Sequence, residues 1–113
     1  MTPVPLPIEI DCRAVQAAQT SADDFLLLDC REPDEHAIAS IAGARLLPMS
    51  ELAARVDELS PWRERRVVAF CHHGRRSLRV ANWLRAQGFE QVQSMAGGID
   101  AWAAEIDPSL ARY

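Results

Sequence analysis

Cys71 closes the apolar run Val67-Val68-Ala69-Phe70, and His72-His73-Gly74-Arg75-Arg76-Ser77 follows it directly. The pattern then turns helical through Leu78, Ala81, Leu84 and Arg85. A cysteine at the carboxyl end of a strand, just before a helix, faces free backbone N–H groups and the positive end of the helix dipole. Two adjacent guanidinium groups strengthen that field. Such surroundings favour the thiolate, the nucleophilic form of the side chain, and hold an anion beside it. The chemistry implied is attack by sulfur inside an anion cradle. A cysteine ending a buried strand can also be an inert small hydrophobe, but Arg75 and Arg76 are costly neighbours for that role. Gly74 permits a tight turn, and Ser77 fits the loop-to-helix junction as a cap.

The elements that would position this loop alternate along the chain. Ile8 to Ile10 is a short strand, and Asp11 caps a helix from Cys12 to about Thr20 with Val15 and Ala18 facing inward. Phe25 to Asp29 is an apolar run of buried-strand type. Arg31 to His36 is a turn leading into a short helix, and Arg45 to Leu47 a strand that Pro48 ends. Ser50 begins an amphipathic helix to about Leu59; Val67 to Phe70 is a second buried strand. The helix from Ser77 to Gln87 stops at Gly88, Val92 to Met95 is the last strand, and Gly97-Gly98 opens a final helix. Strands alternating with helices predict an α/β fold with a mostly parallel five-stranded sheet flanked by helices on both faces. In such sheets ligands bind beyond the carboxyl ends of the strands, the edge that carries Asp29 and Cys71. Residues 1–113 are expected to form one domain, with 1–7 an extended lead-in and 104–113 a tail.

Composition excludes several classes. With 113 residues and 49% hydrophobic content the chain suits one soluble domain. No apolar run approaches membrane-spanning length, and Met1 to Pro7 has neither the basic start nor the apolar centre of a signal peptide, so a cytoplasmic location is expected. Cys12, Cys30 and Cys71 are an odd, widely spaced set without a C-x-x-C pair, which points to free thiols. All 12 basic residues are arginine, and the net charge is −4. Seven of those arginines lie between Pro61 and Gly88 against Glu64 alone, so a positive patch sits on an acidic chain. Small anions suit that patch. Nucleic acid does not, because no aromatic residues interleave with the basic ones. His72 and His73 are adjacent, point in different directions and have no third ligand near in sequence, so no metal is expected.

Together these segments resemble a single-domain rhodanese, a member of the rhodanese-like sulfurtransferase family. The resemblance runs from Ile8 to Trp102. It rests on Asp29-Cys30-Arg31-Glu32-Pro33-Asp34-Glu35 for the family's Asp-x-Arg-x-x-x-Glu, and on Ile41-Ala42-Gly43-Ala44 followed by Pro48. Cys71 to Ser77 matches Cys-x-x-Gly-x-Arg-Ser, and Gly97-Gly98-Ile99-Asp100-Ala101-Trp102 matches the closing Gly-Gly-Ile-x-x-Trp. Ala39-Ser40 stands where the family usually has Gly-His, which alters packing near that turn. Cys30 stands where valine is commoner; it reads as a small apolar substitute, with a resolving thiol as the alternative.

The resemblance implies that Cys71 takes sulfane sulfur from a small anionic donor such as thiosulfate and passes it, as a persulfide, to a thiol, cyanide or protein acceptor. His72, His73, Gly74, Arg75, Arg76 and Ser77 would bind substrate, with Arg76 orienting loop or anion and Arg75 guiding substrate from solvent. Asp29 and Arg31 would be structural, with Arg31 pairing Glu35 across the turn. No cofactor is implied. Trp83 and Trp102 read as core residues, Trp62 as cover for a seam, and Arg79 and Arg85 as a solvated helix face. A protein-to-protein sulfur relay or regulatory module using the same loop is the alternative. A cysteine phosphatase or arsenate reductase is disfavoured by the four residues between Cys71 and Arg76, a loop one residue shorter than phosphatases of related fold carry. Sequence leaves the oligomeric state open.

Overall fold

Two apolar runs, Phe25–Asp29 (β2) and Arg66–Phe70 (β4), lie side by side at the centre of one sheet, and the last four residues of each are buried. Such runs, apolar on both faces, are stable only where helices cover the sheet from both sides. In the computed structural model, which describes residues 6–113, that is what surrounds them. The remaining strands are β1 (Glu9–Ile10), β3 (Arg45–Leu46) and β5 (Gln91–Met95). The order across the sheet is β1-β5-β4-β2-β3. Every pairing is parallel, with Asp29 opposite Phe70 and Ala69 opposite Ser94.

The helices are α1 (Cys12–Thr20), α2 (Pro33–Ile38), α3 (Met49–Arg55), α4 (Arg75–Ala86) and α5 (Gly98–Glu105), with a 3-10 segment at Val56–Trp62. One face of the sheet packs Leu52, Leu59, Val80, Ala81 and Leu84 from α3, the 3-10 segment and α4. The other packs Cys12, Val15, Ile99 and Trp102 from α1 and α5. Asp11 caps α1 as its sequence predicts, its carboxylate accepting from the Ala14 amide at 2.8 Å.

Several local expectations are corrected. The helix expected from Ser50 to Leu59 begins at Met49, is α-helical only to Arg55 and then tightens into 3-10 turns that run to Trp62. α4 begins at Arg75, two residues ahead of Ser77, because Gly74 turns the chain directly into the helix at φ 100°. Ser77 therefore sits inside the first turn, and its hydroxyl points inward rather than capping. Arg85 does not solvate a helix face: its guanidinium donates to the carbonyls of Val92 (2.8 Å) and Leu6 (2.6 Å). Trp102 is buried, whereas Trp83 only half-covers the core. Trp62 is half-buried under the Arg65 guanidinium, 3.8 Å from its ring centre. Residues 104 and 105 belong to α5 rather than to a tail. Of the lead-in expected over residues 1–7, positions 1–5 lie outside the described residues.

Candidate active site

The loop beyond the carboxyl end of β4 collects the chemistry. Cys71 follows β4 directly and is almost fully buried, yet it lines the floor of an open pocket of about 500 Å³ with His72, His73, Arg75 and Arg76. Its sulfur accepts from the amide of Gly74 at 3.0 Å and from that of Ser77 at 3.4 Å. The thiol also meets the Ser77 hydroxyl at 3.4 Å, and that hydroxyl is 2.7 Å from Ser94 Oγ on β5. Loop amides and the first turn of α4 thus converge on one sulfur atom, an arrangement that stabilises negative charge there. The other two cysteines are differently placed. Burial raises the Cys12 thiol to about 11 and pushes Cys30 up further still. Cys30 is completely buried and gives its S–H to the Phe70 carbonyl at 3.2 Å, as a packed small residue does.

Arg76 is committed to a partner that its neighbourhood in sequence does not suggest. Its two terminal nitrogens grip the Glu35 carboxylate of α2 at 2.6 and 2.8 Å. Glu35 therefore pairs with Arg76 and not, as the spacing predicts, with Arg31. Arg31 instead is fully buried and bidentate to Asp29, at 2.9 and 2.8 Å. It also donates to the carbonyls of Ala39 (2.7 Å) and Glu35 (3.2 Å), tying the end of β2 to α2. His36 is a second partner of Asp29, at 3.0 Å. Arg75, by contrast, is exposed at the pocket mouth.

The hydrogen bonds from Arg76 hold the Glu35 carboxyl down to about 2, below its ordinary 4.5. A depressed carboxyl contributes stability that is complete above its unfolded value and is lost as pH falls through the folded one. The difference in Tm between the native chain and Glu35→Gln is therefore expected to be greatest near neutrality and to close between pH 4.5 and about 2. Thermal melts across that range check it; a difference that persists at pH 2 would assign the effect to packing.

The loop is held from its other side by the start of α5. The amide of Ile99 donates to the Cys71 carbonyl at 2.9 Å, and that of Asp100 to the His72 carbonyl at 3.0 Å. Gly98 lies against those same carbonyls at φ 61°, and a Cβ there would collide with both. Gly98→Ala is expected to destabilise the chain by about 2–4 kcal/mol, from left-handed backbone strain plus displacement of the Cys71 loop. Urea unfolding measures it, and a cost under about 0.5 kcal/mol would mean that the loop yields freely.

His72 and His73 stack ring on ring, with centroids 3.8 Å apart. Burial and the neighbouring His73 push His72 below its ordinary value, favouring the neutral ring. Asp100 supplies the third potential metal ligand that the sequence lacked, with one ligand atom from each of the three residues within 4.8 Å of the others. Its carboxylate is already paired with Arg112 at 3.1 Å. The two histidine rings lie alongside each other rather than pointing in different directions as expected. The ring of Tyr113 stacks on His72 at 3.9 Å. Among the described residues no helix is long and apolar enough to cross a membrane.

A family model for the rhodanese-like domain matches residues 12–105. This chain belongs to the rhodanese-like family. A sulfurtransferase from Allochromatium vinosum is 36% identical over 103 residues, covering 91% of this chain and 94% of that protein. A chloroplastic rhodanese-like/PpiC domain-containing protein from Arabidopsis thaliana is 38% identical over 95 residues, and there the rhodanese-like chain spans only 31% of the relative's length. The crystal structure of a rhodanese-related protein from Thermoplasma volcanium superposes with a TM-score of 0.77 at 28% identity, covering 87% of this chain and 92% of that one.

In this rhodanese-like domain the structure brings Cys71, His72, His73, Arg75 and Arg76 together around one pocket. Gly74 and Ser77 reach Cys71 through their amides, and Ser77, Asp29 and Arg31 are buried rather than open to a substrate. The Arg76 partnership of Glu35, the buried Ser94 and the approach of Tyr113 were not visible in sequence. Ser94 had a weak signal, a serine in an otherwise buried strand; Tyr113 had none.

Proposed function

We propose that this domain is a sulfurtransferase whose Cys71 thiolate takes sulfane sulfur from a small anionic donor, thiosulfate being the simplest. The thiolate attacks the outer sulfur, a Cys71–sulfur bond forms, and the donor's sulfur–sulfur bond breaks with its electron pair leaving on sulfite. An acceptor thiolate or cyanide then attacks the terminal sulfur and returns Cys71 as thiolate. Charge and atoms balance in both halves, and no cofactor enters either. The amides of Gly74 and Ser77 are placed to stabilise the charge on sulfur before reaction, which is where preorganised donors act most strongly. Arg76, locked to Glu35, shapes the loop; Arg75, exposed at the pocket rim, meets the donor.

The observation that carries this proposal is the convergence of two amides, that of Gly74 at the N-cap and that of Ser77 in the first turn of α4, on the buried sulfur of Cys71, at the floor of an open pocket with a cationic rim. The name of the Allochromatium relative, which shares nearly the full length, supports the same class. Intact-protein mass spectrometry after brief thiosulfate exposure tests it. The expected result is a reducible gain of one sulfur atom, mapped to Cys71 and discharged by cyanide or a small thiol. An alkylatable Cys71 that gains no sulfur would overturn thiosulfate as donor.

A further inference from the structure

The segment after α5 returns to the pocket and is fastened there at three points. Leu110 packs on the second core cluster, Arg112 pairs with Asp100 of α5, and Tyr113 reaches both walls of the site. The Tyr113 hydroxyl accepts from Arg31 Nη1 at 2.9 Å and donates to Glu35 Oε2 at 2.9 Å. Its ring lies flat on His72, 9° from parallel.

We infer that Tyr113 is a positioning residue for the Cys71 pocket, its hydroxyl holding Glu35 and its ring holding His72, so that the two walls keep a geometry that favours anionic reagents at Cys71. The inference deepens the proposed function and rests on its anionic donor. Glu35 is the hinge of the argument. One carboxylate oxygen takes Arg76 at 2.6 Å and the Glu32 amide at 3.3 Å; the other takes Arg76 at 2.8 Å and the Tyr113 hydroxyl at 2.9 Å. Without that hydroxyl, Glu35 keeps its charge but loses one of the donors that disperse it. An undispersed carboxylate beside Arg76 draws on the guanidinium more strongly and weakens the positive potential offered to an incoming anion. The ring acts on the opposite wall, because His72 forms the turn between Cys71 and Gly74 and is sandwiched between His73 and Tyr113.

The relative rate at which iodoacetate and iodoacetamide alkylate Cys71, read by peptide mass spectrometry, reports the pocket's anion preference without calling on sulfur chemistry. Tyr113→Phe keeps the ring and removes the hydroxyl. Its iodoacetate-to-iodoacetamide ratio is expected to fall about two- to fivefold, the scale of a partly exposed charge-assisted hydrogen bond. In a Glu35→Gln background the same change should leave the ratio within about 1.5-fold, since the hydroxyl acts through the carboxylate. A ratio unchanged or raised by Tyr113→Phe overturns the inference, and so does an equal fall in both backgrounds. Failure of the native chain to gain sulfur from thiosulfate would instead count against the donor, leaving the alkylation ratios to judge Tyr113.

Discussion

Cys71→Ser is expected to abolish sulfur uptake from thiosulfate and to lower turnover by about 10³-fold or more, the scale on which removal of a covalent nucleophile acts. The loss should be chemical rather than structural. Serine is smaller than cysteine, and its oxygen can accept from the Gly74 and Ser77 amides that now meet the sulfur. The Tm should therefore move by no more than about 5 °C, which for a domain of this size corresponds to roughly 1 kcal/mol. Cys30→Ala supplies the contrast. That thiol is sealed in the core with its ionisation strongly opposed by burial, so its loss should cost stability while leaving the sulfur adduct on Cys71 intact. Mass spectrometry and thermal melts on the two variants separate the cases. A sulfur adduct that survives in Cys71→Ser would move the nucleophile elsewhere.

Arg31→Met is expected to destabilise the fold by about 3–5 kcal/mol, because it strips the buried Asp29 carboxylate of its bidentate guanidinium and leaves it only His36 and a backbone amide. The side chains of Arg31 and Asp29 are both wholly inaccessible. The guanidinium satisfies two carbonyls of α2 and its flank besides the carboxylate. Methionine replaces the aliphatic stem of the arginine and makes none of those bonds. Removing the orphaned charge as well, in Asp29→Asn with Arg31→Met, should recover part of the loss, since an amide is far cheaper to bury than a carboxylate. Urea unfolding of the single and double variants measures both effects. A cost below about 1 kcal/mol for Arg31→Met would mean that the pair stabilises no more than a surface contact does.

Much of this architecture is legible in the chain because its signals are local. Phe25 to Asp29 and Val67 to Phe70 are too apolar to sit anywhere but the sheet centre. Asp11 and Gly88 mark helix limits by chemistry that acts within one turn. The Cys71 loop is legible for the same reason: strand, cysteine, glycine and helix follow one another without a gap. What escaped the sequence depends on distance. Arg31 and Glu35 are four apart and of opposite charge, a natural pair on a helix, but Pro33 starts α2 only after Arg31, so the arginine is not on that surface. Glu35 meets Arg76 instead, 41 positions away. Arg85 has a helical spacing that reads as solvent-facing, yet carbonyls from β5 and Leu6 await it. Tyr113 carries no motif, and only the path of the backbone after α5 reveals its place.

The grip of α5 on the Cys71 loop also orders events during synthesis. The carbonyls of Cys71 and His72 find their partners in the amides of Ile99 and Asp100, so on a growing chain the loop has its sequence well before it has its shape. At about 5–20 residues per second, that interval lasts on the order of seconds. Until then the thiol lies on an unfastened loop, open to any electrophile the nascent chain meets.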